Sequence, residues 1–494
     1  MVDFTITGKE RMTLFAFMAL GVICLIATFI WGDPADISGH HTRFWANILH
    51  NTVFFTGISF TALFVMCAFT TAYAGWYTII KRIWEAFSMF IGVGLVLMIL
   101  YSIATYFGMH SLYHWNMAGI ADPNNDLVYD ELLAGKTGFL NKNVYLFGTI
   151  VVLAAWYFFA TRIRSISLAE DEQGSKGDFS FHYNIRWWSA LFLPIAAFTS
   201  AGMIWQWIMS IDSHWYSTMF AWYATASWFV SCLSITIILL VYLKSRGFMK
   251  SVTGEHLHDL GKYLFAFSIF WTYLWFSQYM LIWYANVGEE TIYFRTRVDE
   301  FPVLFYGNLV LNFLVPFFIL MRNSTKRKYG TLVFVCVVVL FGHWWDFFQM
   351  IRPGVLHTAH IQHSIDNNEQ PHASHETFNV SEYGEGFGVS EHSGSHTNHN
   401  HDDGLANNSH ELAHGGEAIH GDDHGDHDDH NDHGDGHGEH SHFVSGFTLP
   451  GFLDLGTMLG FFAFFIWFIL GRLASARLEP INDPFLEESL QHHT

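Results

Sequence analysis

FWANILHNTVFFTGISFTALFVMCAFT, residues 44–70, contains no Asp, Glu, Lys or Arg and is long enough to cross a lipid bilayer. A transmembrane helix needs about 20 apolar residues, because the hydrocarbon core is roughly 30 Å thick. Nine other apolar stretches are comparable, at 12–31, 84–107, 143–163, 187–211, 217–243, 260–286, 301–321, 329–351 and 449–473. Since every backbone amide in lipid must be hydrogen-bonded within its own segment, we predict an all-α polytopic membrane protein with ten transmembrane helices.

The hydropathy and the loop charges predict how these spans are arranged. Spans 2–5 and spans 6–9 have matching hydropathy, which favours two four-helix bundles flanked by spans 1 and 10. Most of the 24 Lys and Arg residues fall in the loops on the side of the two termini, so both termini are expected in the cytoplasm. Residues 1–351 would form the membrane domain, and 449–494 would form span 10 and a cytoplasmic tail. The first stretch lacks a clear cleavage site and is expected to be a retained helix.

Residues 352–448 would form an outer loop of low complexity, which includes HGDDHGDHDDHNDHGDGHGEHSH at 420–442. A segment so rich in His, Asp and Gly cannot bury an apolar core, and we expect it to be disordered. Imidazoles such as His424, His427 and His430 could bind zinc, copper or nickel weakly together with carboxylates. The alternative is a solvated insertion with no specific task.

The sequence argues against a redox centre within this chain. Each cysteine stands alone in a predicted span: Cys24, Cys67, Cys232 and Cys336. This spacing does not match a covalent haem c site, a cysteine-ligated iron–sulfur cluster or a disulfide framework. Haem b would need two facing histidines within one bundle, but His50 and His343 fall in different bundles. There is no nucleotide-binding Gly-rich motif in a suitable context.

Four blocks of the sequence resemble a known family of respiratory membrane proteins. They are FWANILHNTVFFTGISFTALFVMCAFTTAYAGWYTIIKRIWEAF (44–87), SIDSHWYSTMFAWY (210–223), FSQYMLIWYANVGEET (276–291) and GHWWDFFQMIRP (342–353). They resemble membrane subunits of alternative complex III, a quinol:cytochrome c oxidoreductase, and especially its quinone-binding subunit 2 of the NrfD/polysulfide-reductase type. At one position the chain departs from the sister subunit that is thought to oxidise quinol. There a histidine follows the Gly-Ile-Ser, whereas here Phe60 follows Gly57-Ile58-Ser59 and cannot accept a proton.

This resemblance implies a multi-pass subunit of the bacterial inner membrane, with its His-rich loop in the periplasm. It implies support of quinol oxidation, in the family with quinone or menaquinone, and participation in proton translocation. The partners would be an NrfD-like sister subunit, a multihaem cytochrome c carrying haem c and an iron–sulfur protein carrying the clusters. Two alternatives remain open from the sequence. One is a metal-ion transporter with a His-rich metal-gathering loop, and the other is a purely structural assembly subunit.

Polar side chains in or beside the spans are the functional candidates, because such groups are costly in lipid. We predict a proton path among Glu85, Gln206, Asp212, His214, His258, Asp259, Gln278, His343 and Asp346. We predict quinone contact by Asn47, His50 and Asn51, which the helical repeat places on one face.

Each candidate also has a structural alternative. Glu85 could pair with Lys81 or Arg82, and His343 could form a buried hydrogen-bonded pair with Asp346. The Asn47 set could pack helix against helix. Helix capping is the alternative for three carboxylates: Asp212, Asp259 and Asp454. His110 and His114 are expected to meet solvent or a partner in the outer loop 108–142.

Overall fold

The computed structural model describes residues 4–31, 41–125, 128–175, 177–366 and 446–493, and within these residues the protein is helical with no β-strand. The ten long helices, in chain order, are α1 Gly8–Ile30, α2 Thr42–Thr71, α3 Thr78–Tyr106, α4 Lys142–Gln173, α5 Ser180–Trp207, α6 Thr218–Ser245, α7 Gly254–Ala285, α8 Pro302–Leu320, α9 Tyr329–Asp366 and α10 Phe452–Ala474. Short helical segments lie between or after them: His114–Asn116, Glu131–Lys136, Met209–Ile211, Gly288–Asp299, Asn323–Lys326 and Leu486–Leu490.

In the described part of the chain, nine of the long helices are apolar and long enough to cross a bilayer. The helix outside this set is α7, which has 32 residues and coincides with the predicted span 260–286. It is less apolar because Trp, Tyr, Ser and His side chains interrupt its Leu and Phe residues. The structure is therefore an all-helical, multi-pass membrane protein.

Several helices are locally irregular. The first turn of α3, Thr78–Ile80, is a 3₁₀ turn, and α8 contains a π-helical segment at Val310–Leu314. Pro353 lies within α9, and this helix continues to Asp366, beyond residue 351 where the predicted span ends. The first part of the predicted outer loop is thus helical. His424, His427 and His430 lie outside the described residues.

Helix α2 occupies the centre and packs against α3, α5, α6 and α9. Each helix from α2 to α5 packs against its neighbour in the chain, and α5 returns to α2. The same pattern holds from α6 to α9, where α9 returns to α6. Helices α1 and α10 pack closely on each other at Gly21 and Gly460, which have no side chains to keep them apart. A Cβ added to Gly21 would lie only 2.5 Å from the Gly460 Cα.

Aromatic side chains fill the contact between α2, α4 and α6. The Phe60 ring lies 4.1 Å from the Trp156 ring and 6.4 Å from the Trp228 ring, between centroids. Gly57 allows α2 to approach α6, since a Cβ at this position would lie 1.8 Å from the Trp228 indole. Phe60 is therefore part of an apolar core between these helices.

Candidate functional site

A carboxylate with no surface exposure lies among α6, α7, α8 and α9. Asp346 of α9 has 0% of its surface exposed. Its Oδ1 accepts hydrogen bonds from the Tyr223 hydroxyl of α6 and from the Asn308 amide of α8, the latter at 2.7 Å. Its Oδ2 accepts a hydrogen bond of 2.9 Å from the Trp271 indole of α7. We call these residues, together with Gln349, the Asp346 site.

The donors to Asp346 are all neutral. Among the described residues, no Lys, Arg or His side chain forms an ion pair with this carboxylate. A charge buried without a counter-charge costs several kcal/mol even after the protein relaxes. Hydrogen bonds from three neutral donors offset part of this cost, and uptake of a proton would remove the charge. The arrangement is suited to a group that binds and releases a proton.

His343 lies one turn before Asp346 on α9, as their spacing predicts. Its Nδ1 is 2.9 Å from the Ser227 hydroxyl, and its ring meets the Trp271 ring edge to face at 5.4 Å. Trp271 therefore contacts both His343 and Asp346. The His343 Nε2 is buried and has no hydrogen-bond partner within the described part of the protein.

Amide side chains extend the Asp346 site along α8 and α9. Asn308 donates to the side-chain Oε1 of Gln349 at 2.8 Å, and Asn312 donates to the Asn308 side-chain oxygen at 2.5 Å. Asn312 also donates to the Gly342 carbonyl at 2.9 Å from within the π-helical segment. Asn308, Asn312 and Gln349 were not among the site residues predicted from the sequence. A usable signal was available, because Asn308 and Asn312 interrupt the apolar stretch 301–321 at a spacing of four.

Two small cavities continue from the Asp346 site toward the connecting segments on the predicted outer side. The first, of about 10 Å³, is lined by Tyr223, Gln278, Gln349 and Arg297 among others. Gln278 is buried, and its Nε2 has no partner among the described residues. The second, of about 60 Å³, lies beyond Arg297 and is lined by Asp212 and the residues around it. The second cavity is large enough to hold water, whereas the first is at the lower limit of about 10–15 Å³ that a single water needs.

Asp212 lines the second cavity and does not cap a helix. We call the two cavities and the polar side chains that line them the outer route. Its Oδ2 accepts a hydrogen bond of 2.8 Å from Arg297, which is buried and stacks on the Tyr293 ring at 3.4 Å. The residue before α6 is Ser217, so the capping alternative for Asp212 is wrong. Gln206 is buried between α4 and α5, facing Gly148, and makes no hydrogen bond to Asp212.

His214 lies beside Asp212 but pairs with a different carboxylate. Its Nε2 is 2.5 Å from the Asp130 Oδ2, and its ring lies 5.3 Å from the His114 ring. Burial would raise the pKa of the Asp130 carboxyl, but the hydrogen bond and charge of His214 outweigh it and lower the pKa to about 2. Asp130 is therefore an anion at neutral pH. These three residues form a separate group near the second cavity.

Glu85 belongs to a buried ion-pair cluster at the other end of the helices. Its Oε2 accepts from the Arg82 guanidinium at 2.6 Å, and its Oε1 accepts from the Ser167 hydroxyl at 2.6 Å. Arg82 also pairs with Asp171 of α4. The alternative in which Glu85 pairs with Arg82 is confirmed, and the carboxylate is buried, not solvated.

The chain after α10 contributes to the same region. Lys81 pairs with Glu170 at 3.1 Å and with Asp483, which lies after α10. Asn482 donates to the Gly174 carbonyl at 2.8 Å. The charged residues at this end of α3 and α4 therefore hold the C-terminal segment against the helices.

His258 and Asp259 also meet the C-terminal segment. Asp259 pairs with Lys262 at 3.0 Å and with His492 at 2.7 Å, whereas the His258 Nδ1 is 3.7 Å from Asp259. The N-cap of α7 is Thr253, so the capping alternative for Asp259 is wrong. These residues are near the start of α7 and are not hydrogen-bonded to Glu85.

The predicted quinone-contact residues are fully buried and bonded to the protein. Asn47 donates to Asp454 at 2.9 Å, and Asn51 accepts from the Trp344 indole at 3.0 Å. The His50 Nε2 is 3.0 Å from the Trp344 carbonyl oxygen, and its ring stacks on the Trp344 ring. This geometry favours polar packing between α2, α9 and α10, and quinone contact here stays a prediction.

Asp454 is the centre of an ion-pair group at the start of α10. Its carboxylate accepts from Arg43 at 2.6 and 3.2 Å and from Arg352 at 3.3 Å. It also accepts from the Gly451 amide at 2.8 Å, which confirms its predicted role as a cap. Arg352 in turn donates to the Asn47 side chain at 2.6 Å. We call Arg43, Asn47, Arg352 and Asp454 the outer ion-pair group.

The chain matches no protein-family model, and no curated protein matches it.

Proposed function

We propose that this chain is an integral membrane subunit of a respiratory quinol:electron-acceptor oxidoreductase of the alternative complex III type, and that it takes part in proton translocation. The proposal joins the sequence resemblance to one structural observation, the Asp346 site. In this interpretation the chain has no redox centre of its own. The partners would be an NrfD-like sister subunit, a multihaem cytochrome c that carries haem c, and an iron–sulfur protein that carries the clusters.

The Asp346 site supports the proposed part in proton translocation. An ionisable group inside a membrane protein is expensive to retain, and it is a functional candidate for this reason. Asp346 differs from Glu85, Glu170 and Asp454, which are also buried, because Glu85 and Asp454 are bonded to arginine and Glu170 to lysine. An arginine partner adds a counter-charge that stabilises the anion, whereas Asp346 has hydrogen bonds from neutral donors and no such counter-charge among the described residues.

The outer route would connect this carboxylate to water. Gln349 bonds to Asn308 and lines the first small cavity, which Gln278 and Arg297 also line. Asp212 and His214 line the second cavity. Protons would leave Asp346 along these side chains and the water between them. Glu85 remains a predicted inner-side residue of the path, although its ion pair favours a structural task.

The finer architecture is part of the proposal. We infer ten spans, namely the nine apolar helices and α7, and two four-helix bundles made of α2–α5 and α6–α9. The packing of each helix on its neighbours, and of α5 on α2 and α9 on α6, supports this grouping. Both termini would lie in the cytoplasm of a bacterial inner membrane. The His-rich segment would then lie in the periplasm.

Replacement of Asp346 tests the proton role. In the complete complex reconstituted into proteoliposomes, Asp346→Asn should lower the protons released per quinol toward those that quinol itself releases. Asp346→Glu keeps a titratable group and should retain more of the yield. The matched control is Asp299→Asn, the same chemical change at an exposed carboxylate. An unchanged proton yield in Asp346→Asn, with turnover retained, would contradict the proposal.

Purification of the native complex tests the identity of the assembly. A tag on this chain should co-purify a second multi-pass subunit, an iron–sulfur protein and a cytochrome with the optical spectrum of haem c. Recovery of the chain alone, from a mild detergent that preserves other respiratory complexes, would refute the assignment. A purely structural subunit would instead co-purify with these partners but tolerate Asp346→Asn without loss of proton yield.

A metal-ion transporter would need ligands that face one another along the spanning helices. In the part of the chain that the structure describes, the group of residues suited to a metal is His114, Asp130 and His214, in the connecting segments. This placement does not favour passage of an ion through the helices. Metal uptake by cells with and without the segment 367–445 would separate the two functions.

A further inference from the structure

Three side chains from two connecting segments meet next to the second cavity. His114 lies in the short helix His114–Asn116 between α3 and α4, and Asp130 precedes the helix Glu131–Lys136 in the same connection. His214 lies in the turn between α5 and α6. One ligand atom from each residue lies within 4.8 Å of the others, which is the case for this group alone among the described His, Cys, Asp and Glu residues.

We propose that His114, Asp130 and His214 bind a divalent transition-metal ion of the zinc class. Imidazole nitrogen and carboxylate oxygen are ligands that zinc accepts, at about 2.0–2.2 Å. Two ligands of a tetrahedral zinc ion lie roughly 3.3 Å apart at these bond lengths. A small contraction of the group, with His214 and Asp130 separating from their 2.5 Å contact, would reach this geometry.

The hydrogen bonds around the group orient two of the ligands. The Asp130 Oδ1 accepts a hydrogen bond of 2.9 Å from the Leu133 amide, which leaves Oδ2 directed at His214. Lys136 donates to the carbonyl oxygens of Ser213 and His214 at 2.8 and 3.0 Å and so fixes the backbone of this turn. Such bonds to ligand residues set ligand orientation in metal sites.

The second cavity supplies room for a fourth ligand. It has a volume of about 60 Å³ and is lined by His114 and His214, and also by Glu289 and His357. Water fits a cavity of this size, and Glu289 is a second candidate. Three protein ligands and a water form an open zinc site, unlike the closed four-ligand sites of structural zinc. The Lys136 ammonium lies nearby, so the affinity should be below that of a closed site.

A bound ion would join two connections that are distant in the chain. It would link the α3–α4 connection to the α5–α6 turn, at the edge of the cavity that Asp212 lines. The His-rich segment follows α9, whose residue His357 lines the same cavity.

Amide hydrogen exchange of the intact protein tests this site, because it reports on the two segments separately from the His-rich segment. The probe is Zn²⁺ alone, with Mg²⁺ as the comparison ion, since Mg²⁺ prefers oxygen ligands in octahedral geometry. At ten times the dissociation constant, exchange by local opening should slow about tenfold. We expect this slowing in residues 110–118 and 210–217 together, with Zn²⁺ and not with Mg²⁺.

Variants distinguish this site from metal binding elsewhere. His114→Ala and His214→Ala should each abolish the slowing in both segments, and His114→Gln gives a milder change if an alanine variant does not fold. His492→Ala is the matched control, because His492 also bonds to an aspartate and lies 5.2 Å from a second histidine ring, on the opposite side of the protein. It should leave the effect intact. Absence of slowing in the unmodified protein, or its persistence in the His114 and His214 variants, would overturn the proposal.

Discussion

Replacement of Asp454 by Asn should destabilise the protein strongly. Asp454 is fully buried at the start of α10 and accepts hydrogen bonds from two arginines, Arg43 and Arg352. The asparagine side chain has nearly the same shape, so the packing of α10 would change little. The loss would be electrostatic, because both guanidinium groups would remain without the shared carboxylate.

The structure gives the size of this effect. Arg352 has 0% of its side chain exposed and Arg43 has 11%, so neither can be fully hydrated without movement of the helices. Removal of one partner from a buried ion pair costs about 3–5 kcal/mol. Asn47 still accepts from Arg352 at 2.6 Å, which places the expected loss near the lower end of this range. We therefore expect Asp454→Asn to lower the free energy of unfolding by about 3 kcal/mol.

Denaturant titration in detergent micelles, followed by tryptophan fluorescence, would measure this loss. Asp299→Asn is the control, because its partner Arg295 is exposed and the pair should contribute less than about 1 kcal/mol. A double variant, Arg352→Met with Asp454→Leu, should recover part of the stability, since apolar side chains often replace a buried ion pair well. A loss below about 1 kcal/mol in Asp454→Asn would refute the argument that buried charge holds α10 to α2 and α9.

Two further predictions concern packing and pH. Gly57→Ala places a methyl group against the Trp228 ring and should lower the free energy of unfolding by about 1–3 kcal/mol. Gly202→Ala is the control, because Gly202 has open space around it and the substitution should not destabilise α5. Denaturant titration measures both variants, and equal stabilities would contradict the close contact between Gly57 and Trp228. Burial would raise the pKa of Asp483, but the Lys81 ammonium lowers it. Docking of the C-terminal segment should therefore be complete above the unfolded-state pKa of Asp483, about 3.9, and be lost as the pH falls through the lower folded-state pKa. An acid-active protease should then begin to cleave the chain after residue 475. If cleavage did not increase over this pH range, the Lys81–Asp483 pair would be unimportant for docking.

The sequence was sufficient to locate the helices, because each is long and apolar by itself. It also identified His343 and Asp346 as neighbours, since residues three apart on a helix share a face. The hydropathy pattern could not reveal that α7, although it is less apolar than the other long helices, packs between α6 and α8. Its many aromatic side chains were equally consistent with a lipid-facing or a buried helix.

Partners on other helices were beyond sequence reasoning. Asp346 meets Asn308 only because α8 and α9 are adjacent, and Arg82 meets Asp171 only because α3 and α4 are adjacent. The capping alternatives for Asp212 and Asp259 were wrong because other side chains bind these carboxylates instead, Arg297 in the first case and Lys262 and His492 in the second. Spacing along one chain predicts contacts within a helix, and tertiary packing determines the rest.

Arg352 and Asp454 stand 102 positions apart in the chain, on either side of the His-rich segment, and their side chains meet at 3.3 Å. This contact joins α9 to α10, the two helices that flank the segment in the chain. The entropy lost on closing a flexible connection grows slowly with its length, by about 0.6 kcal/mol for each doubling. Evolution could therefore lengthen, shorten or recompose the insert with little effect on the helices, and a fluorescent reporter domain placed within it should leave the rest of the protein intact.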